Sequence, residues 1–330
     1  MVLEDNSFQN SKWLFIGGVG FIGSHVLREF HAARADCFVL DNLVTGRIVR
    51  LPQNTRFIHG DATNPVDVMN ACNDHDITGI VHLAAYMQAR ESVRDPIKYW
   101  TNNLGSSLAL ASILTKTKVR QVIFSSSCSV YGDAGMVTEA SPIRPLSPYA
   151  MTKVASEDVL SQVTQVNGIQ LNILRYFNVI GCGNFPESYD HSQETILPAA
   201  SRLILAGKAP TIYGDNFQTP DGSSVRDYLD VRDLARAHLI VAKTKMPQNK
   251  MVLNVSTGRP VSVKEIIGML LEISKSKLKP ITSPARVGDP AAIWSNESIV
   301  LKSFGWNSNY SLRESVHDFW HAFENVDYNS

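Results

Sequence analysis

A short apolar run, Trp13-Leu14-Phe15-Ile16, breaks at Gly17-Gly18-Val19-Gly20-Phe21-Ile22-Gly23 and gives way to an amphipathic stretch reaching Ala33. An unbroken apolar run suits a strand buried on both faces, so the order reads strand, glycine turn, helix. Glycines at 17, 20 and 23 let the backbone turn tightly, let a pyrophosphate approach the helix N-terminus, and let the helix pack close to the sheet. A lone motif of this kind is also compatible with a merely flexible turn. The next strand, over 36–40, weighs against that: it ends in Asp41, about 20 residues on, where a carboxylate accepts hydrogen bonds from an adenosine ribose. Asp41 also repels a 2′-phosphate, which favours NAD over NADP. Arg47 weakens that preference slightly, although an ordinary solvated loop arginine explains it as well.

Alternation continues. Strands are expected over 56–59, 79–83 and 121–125, a helix over 66–72, and one long helical segment over about 95–115. Such alternation implies an α/β fold of Rossmann type, a doubly wound parallel sheet whose ligands sit beyond the C-terminal ends of its strands. Asp61, Ala84, Ala85 and Ser125 to Ser127 fall at such ends. The two alanines serve packing or leave room for a nucleotide; the three serines are equally readable as a strand cap. After a strand over 169–176 the pattern loosens. Helices are expected over 195–206, 231–243, 261–274 and 312–323, with brief strands over 211–213, 225–228 and 252–254. The reading is a nucleotide-binding domain over 12–178 and a smaller, partly interleaved mixed α/β lobe for substrate over 179–330.

The stretch Ser147-Pro148-Tyr149-Ala150-Met151-Thr152-Lys153 carries the candidate chemistry. Proline favours the first helical position, and a helix starting at Pro148 sets Tyr149 and Lys153 one turn apart on one face. A phenol with an ordinary pKa of about 10 is a poor base at neutral pH, but an ammonium group one turn away favours the phenolate. Tyr149 then takes a proton from a substrate hydroxyl. In a chain with ten tyrosines a Tyr-x-x-x-Lys also arises by accident, so the pair counts only in its context.

Composition excludes several classes. Lys plus Arg and Asp plus Glu both number 31, so no net charge draws the chain to nucleic acid or an acidic membrane surface. Cys37, Cys72, Cys128 and Cys182 lie far apart without metal-ligand spacing, which argues against a zinc site or a disulfide framework and for reduced thiols in the cytoplasm. The polar start with Glu4 and Asp5 is unlike a signal peptide, and no stretch has the apolar length to cross a bilayer.

Taken in order, Gly-x-x-Gly-x-x-Gly, Asp41-Asn42, Gly60-Asp61, Phe124-Ser125-Ser126-Ser127, Val130-Tyr131-Gly132 and Tyr149-x-x-x-Lys153 resemble the extended short-chain dehydrogenase/reductase superfamily. Within it the chain is most similar to the UDP-glucose 4-epimerase family. The likeness runs from about Lys12 to Phe323 and includes Arg175-Tyr176-Phe177-Asn178, Val225-Arg226-Asp227-Tyr228 and Arg286-Val287-Gly288-Asp289.

The resemblance implies NAD as cofactor and a UDP-sugar as substrate, with epimerisation at C4 through a transient 4-keto sugar. It implies that Gly17, Gly20, Phe21, Ile22 and Gly23 seat the pyrophosphate, and that Asp41 and Asn42 hold the adenosine ribose. Asp61 and Ala62 would flank the adenine, and Leu83, Ala84, Ala85, Asn102, Ser125 and Tyr176 would complete the cofactor site. Lys153 would bind the nicotinamide ribose, Tyr149 act as base, and Ser127 bond the hexose 4-hydroxyl. Arg226 and Arg286 would grip the diphosphate, with Asn178, Thr195, Ile196, Tyr228 and Asp289 completing the substrate contacts. Arg226 has an alternative use, pairing with Asp227, Asp230 or Asp233, and Asp289 as a turn cap. A homodimer is implied as well.

Cys128 and Ser129 stand where dehydratases of the superfamily carry an acidic pair and decarboxylases a glutamate, which leaves reversible oxidation at one carbon. The chain departs from the family where Thr, Lys and Asn are common, having Ile16, Met87 and Thr195. The loss at Met87 bears on how tightly the cofactor is held. Ile293 replaces a bulky aromatic of some relatives, which implies room for an N-acetyl group. The rivals are a net sugar-nucleotide dehydrogenase and a non-catalytic NAD-binding scaffold; the latter tends to lack the Tyr or Lys present here.

Overall fold

The computed structural model describes residues 8, 11–245, 247–286, 288–296 and 298–325; Glu4, Asp5 and Val287 lie outside these. In chain order the first elements are β1 (Lys12–Ile16), α1 (Phe21–Ala32), β2 (Asp36–Asp41), β3 (Arg56–His59), α2 (Pro65–Asp74), β4 (Gly79–His82), α3 (Ala89–Arg94), α4 (Pro96–Tyr99), α5 (Gly105–Ile113), β5 (Gln121–Ser127), β6 (Gly135–Val137) and α6 (Pro148–Val166). There follow β7 (Gln170–Tyr176), β8 (Asn178–Ile180), α7 (Ile196–Leu205), β9 (Thr211–Tyr213), β10 (Val225–Asp230), α8 (Val231–Lys243), β11 (Lys250–Val255), β12 (Pro260–Ser262), α9 (Val263–Ile273), β13 (Ile281–Ser283), β14 (Ala292–Ser295), α10 (Ile299–Ser303) and α11 (Leu312–Glu324). They fold into two compact units. One comprises Met1–Ser127, Ser147–Arg175 and Ala235–Leu253, the other Cys128–Leu146, Tyr176–Leu234 and Asn254–Ser330.

The first unit is built on a seven-stranded sheet of order β11-β7-β5-β4-β1-β2-β3. β1 pairs in parallel with β2 and β4, β2 with β3, and β4 with β5. Strand order therefore reverses between β1 and β4, and in such sheets ligands bind in the crevice outside the C-terminal strand ends at that reversal. The apolar run of β1 is explained by burial on both faces. Trp13 and Phe15 each pack edge-on against Phe30 of α1, at 5.1 Å. Leu14 and Ile16 point the other way, into a cluster with Val68 and Ala71 of α2, Leu110 of α5 and Leu160 of α6.

The single helix expected over 95–115 is broken. Asp95 caps α4, its side chain accepting from the Lys98 N–H with Pro96 at the first turn, so α3 stops there. Trp100–Leu104 then form a π-helical turn before α5. A tertiary contact holds it: the Asn103 carboxamide accepts from the Tyr86 N–H at 2.9 Å and donates to the Tyr86 carbonyl at 3.0 Å and to Thr152 Oγ1 at 3.3 Å. Wide turns of this kind recur at functional sites. α6 starts as its sequence dictates, with Ser147 Oγ accepting from the Ala150 N–H and Pro148 in the first turn.

In the second unit β10 lies antiparallel to β12 and parallel to β14 and β8, and β6 adds to β14. β9 and β13 form a separate parallel pair. Its core joins Leu197 of α7, Ile266 and Leu270 of α9, and Val316, Phe319 and Phe323 of α11. Reciprocal Ser–Glu caps, Ser262 with Glu265 and Ser311 with Glu314, start α9 and α11. Among the described residues no helix is long and apolar enough to cross a membrane.

Candidate active site

In the first unit the glycine turn lies at the strand reversal. Gly17 has φ +83°, and a Cβ there would stand 2.7 Å from the Ala84 nitrogen, so both the conformation and the space demand glycine. A Cβ on Gly23 would come 2.4 Å from the Gly17 carbonyl, which is how closely helix and turn pack. Gly20 caps α1 without a side-chain acceptor, and no acidic residue stands in the first turn. The N–H groups of that turn have no intrahelical partner and share the positive end of the helix dipole. Beyond β4, the Leu83 and Ala84 N–H groups both donate to the Ile16 carbonyl at 2.9 Å, carrying Ala84 and Ala85 to the edge of the same crevice.

Asp41 ends β2 beside this turn. Burial pushes its carboxyl above the ordinary range, against hydrogen bonds from the Leu43 N–H at 2.9 Å and the Val19 N–H at 3.3 Å. Asp61, past the end of β3, feels some desolvation, but the Thr63 N–H and hydroxyl, both at 2.8 Å, and the Asn42 side chain hold its carboxyl below the ordinary range. Asn42 and Asp61 are thus brought together, with Ala62 next to them. These residues fit a dinucleotide: a cradle that any side chain at 17 or 23 would fill, an uncapped helix N-terminus, and carboxylates at two adjacent strand ends. Asn102 lies in the π turn, its amide donating to Asn103 at 3.0 Å.

The serines end β5, with Ser127 half-buried as the last strand residue. Lys153 of α6 is only 4% exposed, and its Nζ donates to the Ser125 carbonyl at 2.7 Å. Burial pushes its pKa down to about 8, with Glu157 working the other way. Tyr149, one turn earlier, is half-buried; its N–H donates to Ser92 Oγ at 3.1 Å and its ring meets Tyr99 edge-on at 6.4 Å. Sequence reasoning missed two supports, Asn103 and Glu157. Twin carboxamides within a helical stretch, and a carboxylate four residues past the lysine, were the signals available. Arg175, in one of the segments over which the likeness extends, is turned onto Glu157, with Nη2 to Oε2 at 2.6 Å.

In the second unit Asn178 of β8 lies opposite Tyr228 of β10, and Arg226 opposite Ile293 of β14. Tyr176 is buried, and burial pushes the Tyr228 phenol up, with Arg226 opposing. Arg226 Nη1 donates to the Val225 carbonyl at 2.8 Å, while the three acids considered as its partners are engaged elsewhere. Asp227 accepts from Thr257 and Gly258, Asp230 pairs with Arg232, and Asp233 accepts from the Asn309 and Tyr310 N–H groups. The Arg286 guanidinium stacks 3.4 Å above the Tyr213 ring and keeps a buried Nε with no hydrogen-bond partner among the described residues. Asp289 closes a turn on the Arg286 carbonyl. Thr195 precedes Ile196 at the start of α7 and donates to Asp190 at 2.5 Å.

Comparison with known proteins adds to this geometry. The model of the NAD dependent epimerase/dehydratase family matches residues 13–256. A UDP-glucose 4-epimerase of Lactobacillus helveticus is 34% identical over 313 residues, spanning 92% of this chain and 94% of its own length. The crystal structure of UDP-glucose-4-epimerase from Stenotrophomonas maltophila with bound NAD and formylated UDP-arabinopyranose superposes with a TM-score of 0.89 at 26% identity, covering 96% and 98% of the two chains. A UDP-N-acetylglucosamine 4-epimerase of Methanobrevibacter ruminantium, in complex with UDP-N-acetylmuramic acid, gives a TM-score of 0.84 at 26% identity, covering 96% and 99%.

Proposed function

The chain belongs to the NAD dependent epimerase/dehydratase family, and on that footing we propose that it is an NAD-dependent epimerase inverting UDP-hexoses at C4. The observation that carries the reading is the α6 face: Tyr149 and Lys153 stand one turn apart, the lysine amine anchored on the carbonyl of Ser125 at the end of β5.

NAD would be held by Gly17, Gly20, Phe21, Ile22 and Gly23 at the pyrophosphate, by Asp41 and Asn42 at the ribose, and by Asp61 and Ala62 at the adenine. When bound, NAD supplies reversible hydride exchange with the hexose C4. Tyr149 takes the 4-hydroxyl proton and later returns it, and a positioned base of this kind contributes about 10²–10⁴-fold. Lys153 favours the phenolate and holds the nicotinamide ribose, while Ser127 bonds the 4-hydroxyl. Leu83, Ala84, Ala85, Asn102, Ser125 and Tyr176 line the rest of the cofactor site. Arg226 and Arg286 grip the diphosphate; the Nε of Arg286, unpartnered among the described residues, is a donor suited to such an anion. Asn178, Thr195, Ile196, Tyr228 and Asp289 contact uridine and sugar. Fixing the nucleotide rather than the hexose lets the 4-keto sugar present either face. Ile293 leaves room for an N-acetyl group, so N-acetylhexosamine forms are converted too. The protein works in the cytoplasm, in keeping with four buried cysteines outside any disulfide, and as a homodimer.

Supplying UDP-galactose without free NAD tests the proposal. An epimerase forms UDP-glucose over many turnovers on its resident cofactor; product limited to one equivalent per enzyme, or none, overturns it.

A further inference from the structure

On α6 the stripe of Tyr149 and Lys153 continues one turn further to Glu157, a carboxylate 7% exposed. Its oxygens are taken up by two strands. Ser126 of β5 donates to Oε1. Arg175 of β7 donates Nε to Oε1 at 3.0 Å and Nη2 to Oε2 at 2.6 Å, a two-pronged buried pair. Ser126 lies between the residue whose carbonyl receives the Lys153 amine and Ser127. We propose that Glu157 is a positioning residue for the Tyr149–Lys153 pair: clamped by Ser126 and Arg175, it fixes α6 against the strand ending in Ser127 and keeps a negative charge one turn from the lysine amine.

The surroundings leave this part to Glu157. On β4 the buried His82 ring, held down to about 3 by burial and then by Lys153, is neutral and brings no charge. Glu91 of α3 is committed to Lys98 of α4 at 2.6 Å. Phe124 of β5 offers only its ring face, 5.1 Å from the amine. Tyr149 is the group being served. Arg175 is held by Glu157 itself, so the pair remains a local dipole with its negative end towards the lysine's helix. Without that charge the amine of Lys153 gives up its proton more readily, and Tyr149 loses the cation that stabilises its phenolate.

The inference rests on the proposed roles of Tyr149 and Lys153, and its test does not depend on turnover. The phenolate absorbance of Tyr149, isolated as the difference between each protein and its Tyr149→Phe counterpart, is titrated in Glu157→Gln and in the parent. The variant should titrate higher by about one pH unit, and the alkaline limb of kcat should move down by a similar amount. Because Gln leaves Arg175 buried and unpaired, Glu157→Gln/Arg175→Met is titrated in parallel; replacing both partners of a buried pair is commonly tolerated. An unmoved tyrosine titration in either folded variant, with only thermal stability lowered, overturns the proposal. If the parent lacks epimerase activity yet the titration shifts, the function assigned above fails and the role of Glu157 stands.

Discussion

Lys153 is a buried charge, and replacing it with methionine should expose the strain. Burial lowers its pKa from 10.5 to about 8. At about 1.4 kcal/mol per unit, the folded protein holds the ammonium at a cost of roughly 3 kcal/mol relative to the unfolded chain. Below pH 8 both states carry the proton and the penalty is constant. Between 8 and 10.5 the folded state binds fewer protons than the unfolded one, so the contribution of this group to stability rises with pH and the penalty disappears. Methionine removes the penalty but strands the Ser125 carbonyl, a loss of about 1–3 kcal/mol. Lys153→Met should therefore be more stable than the parent by about 1 kcal/mol at pH 7 and less stable above pH 10, with the sign changing near pH 9. Three thiols, Cys37, Cys72 and Cys182, are pushed up to about 12 by burial and destabilise both proteins above pH 9, so they cancel in the difference. Urea unfolding of the cofactor-free proteins, followed by tryptophan fluorescence from pH 7 to 10.5, reads the effect. A difference that stays constant across that range refutes the argument.

Tyr149→Phe should lower kcat by at least about 10²-fold while leaving bound dinucleotide at parental levels, measured by cofactor release on denaturation; full activity removes the tyrosine from the mechanism. Gly17→Ala should lose about 1–3 kcal/mol from φ +83° alone, and more from the 2.7 Å approach to Ala84. It should also fail to bind NADH in a fluorescence titration. Arg286→Ala, which removes a guanidinium stacked on Tyr213, should raise KM for UDP-galactose on the order of ten- to a hundred-fold, consistent with charged hydrogen bonds of about 1.5–3 kcal/mol, with kcat little changed.

Elements buried on both faces were the most readable. β1, with α1 after it, follows from an apolar tetrapeptide and spaced glycines; β3, at the sheet edge and with none of its four residues buried, was nonetheless read with its bounds, Arg56–His59, as expected. The π turn at Trp100–Leu104 was not readable, because its local sequence is that of an ordinary helix and its cause, the backbone of Tyr86, is distant in the chain. β6, β8, β12, β13 and β14 escaped for a related reason. Each is three or four residues long and exists through its pairing partner; length alone does not explain the miss, since β3 and β9 are as short and were read. In the candidate site, the one-turn spacing of Tyr149 and Lys153 follows from Ser147-Pro148 starting the helix. The grip of Arg175 on Glu157 needs β7 beside β5, and local patterning says nothing of that adjacency.

The segment behind β4 is held in an unusual manner. The Tyr86 amide and carbonyl are both engaged by Asn103, and the Gln88 N–H is received by the Tyr99 hydroxyl at 3.1 Å. Side chains from the helical stretch thus stand in for the neighbouring strand this stretch of backbone lacks. Swinging it out therefore means releasing Asn103 and Tyr99 together.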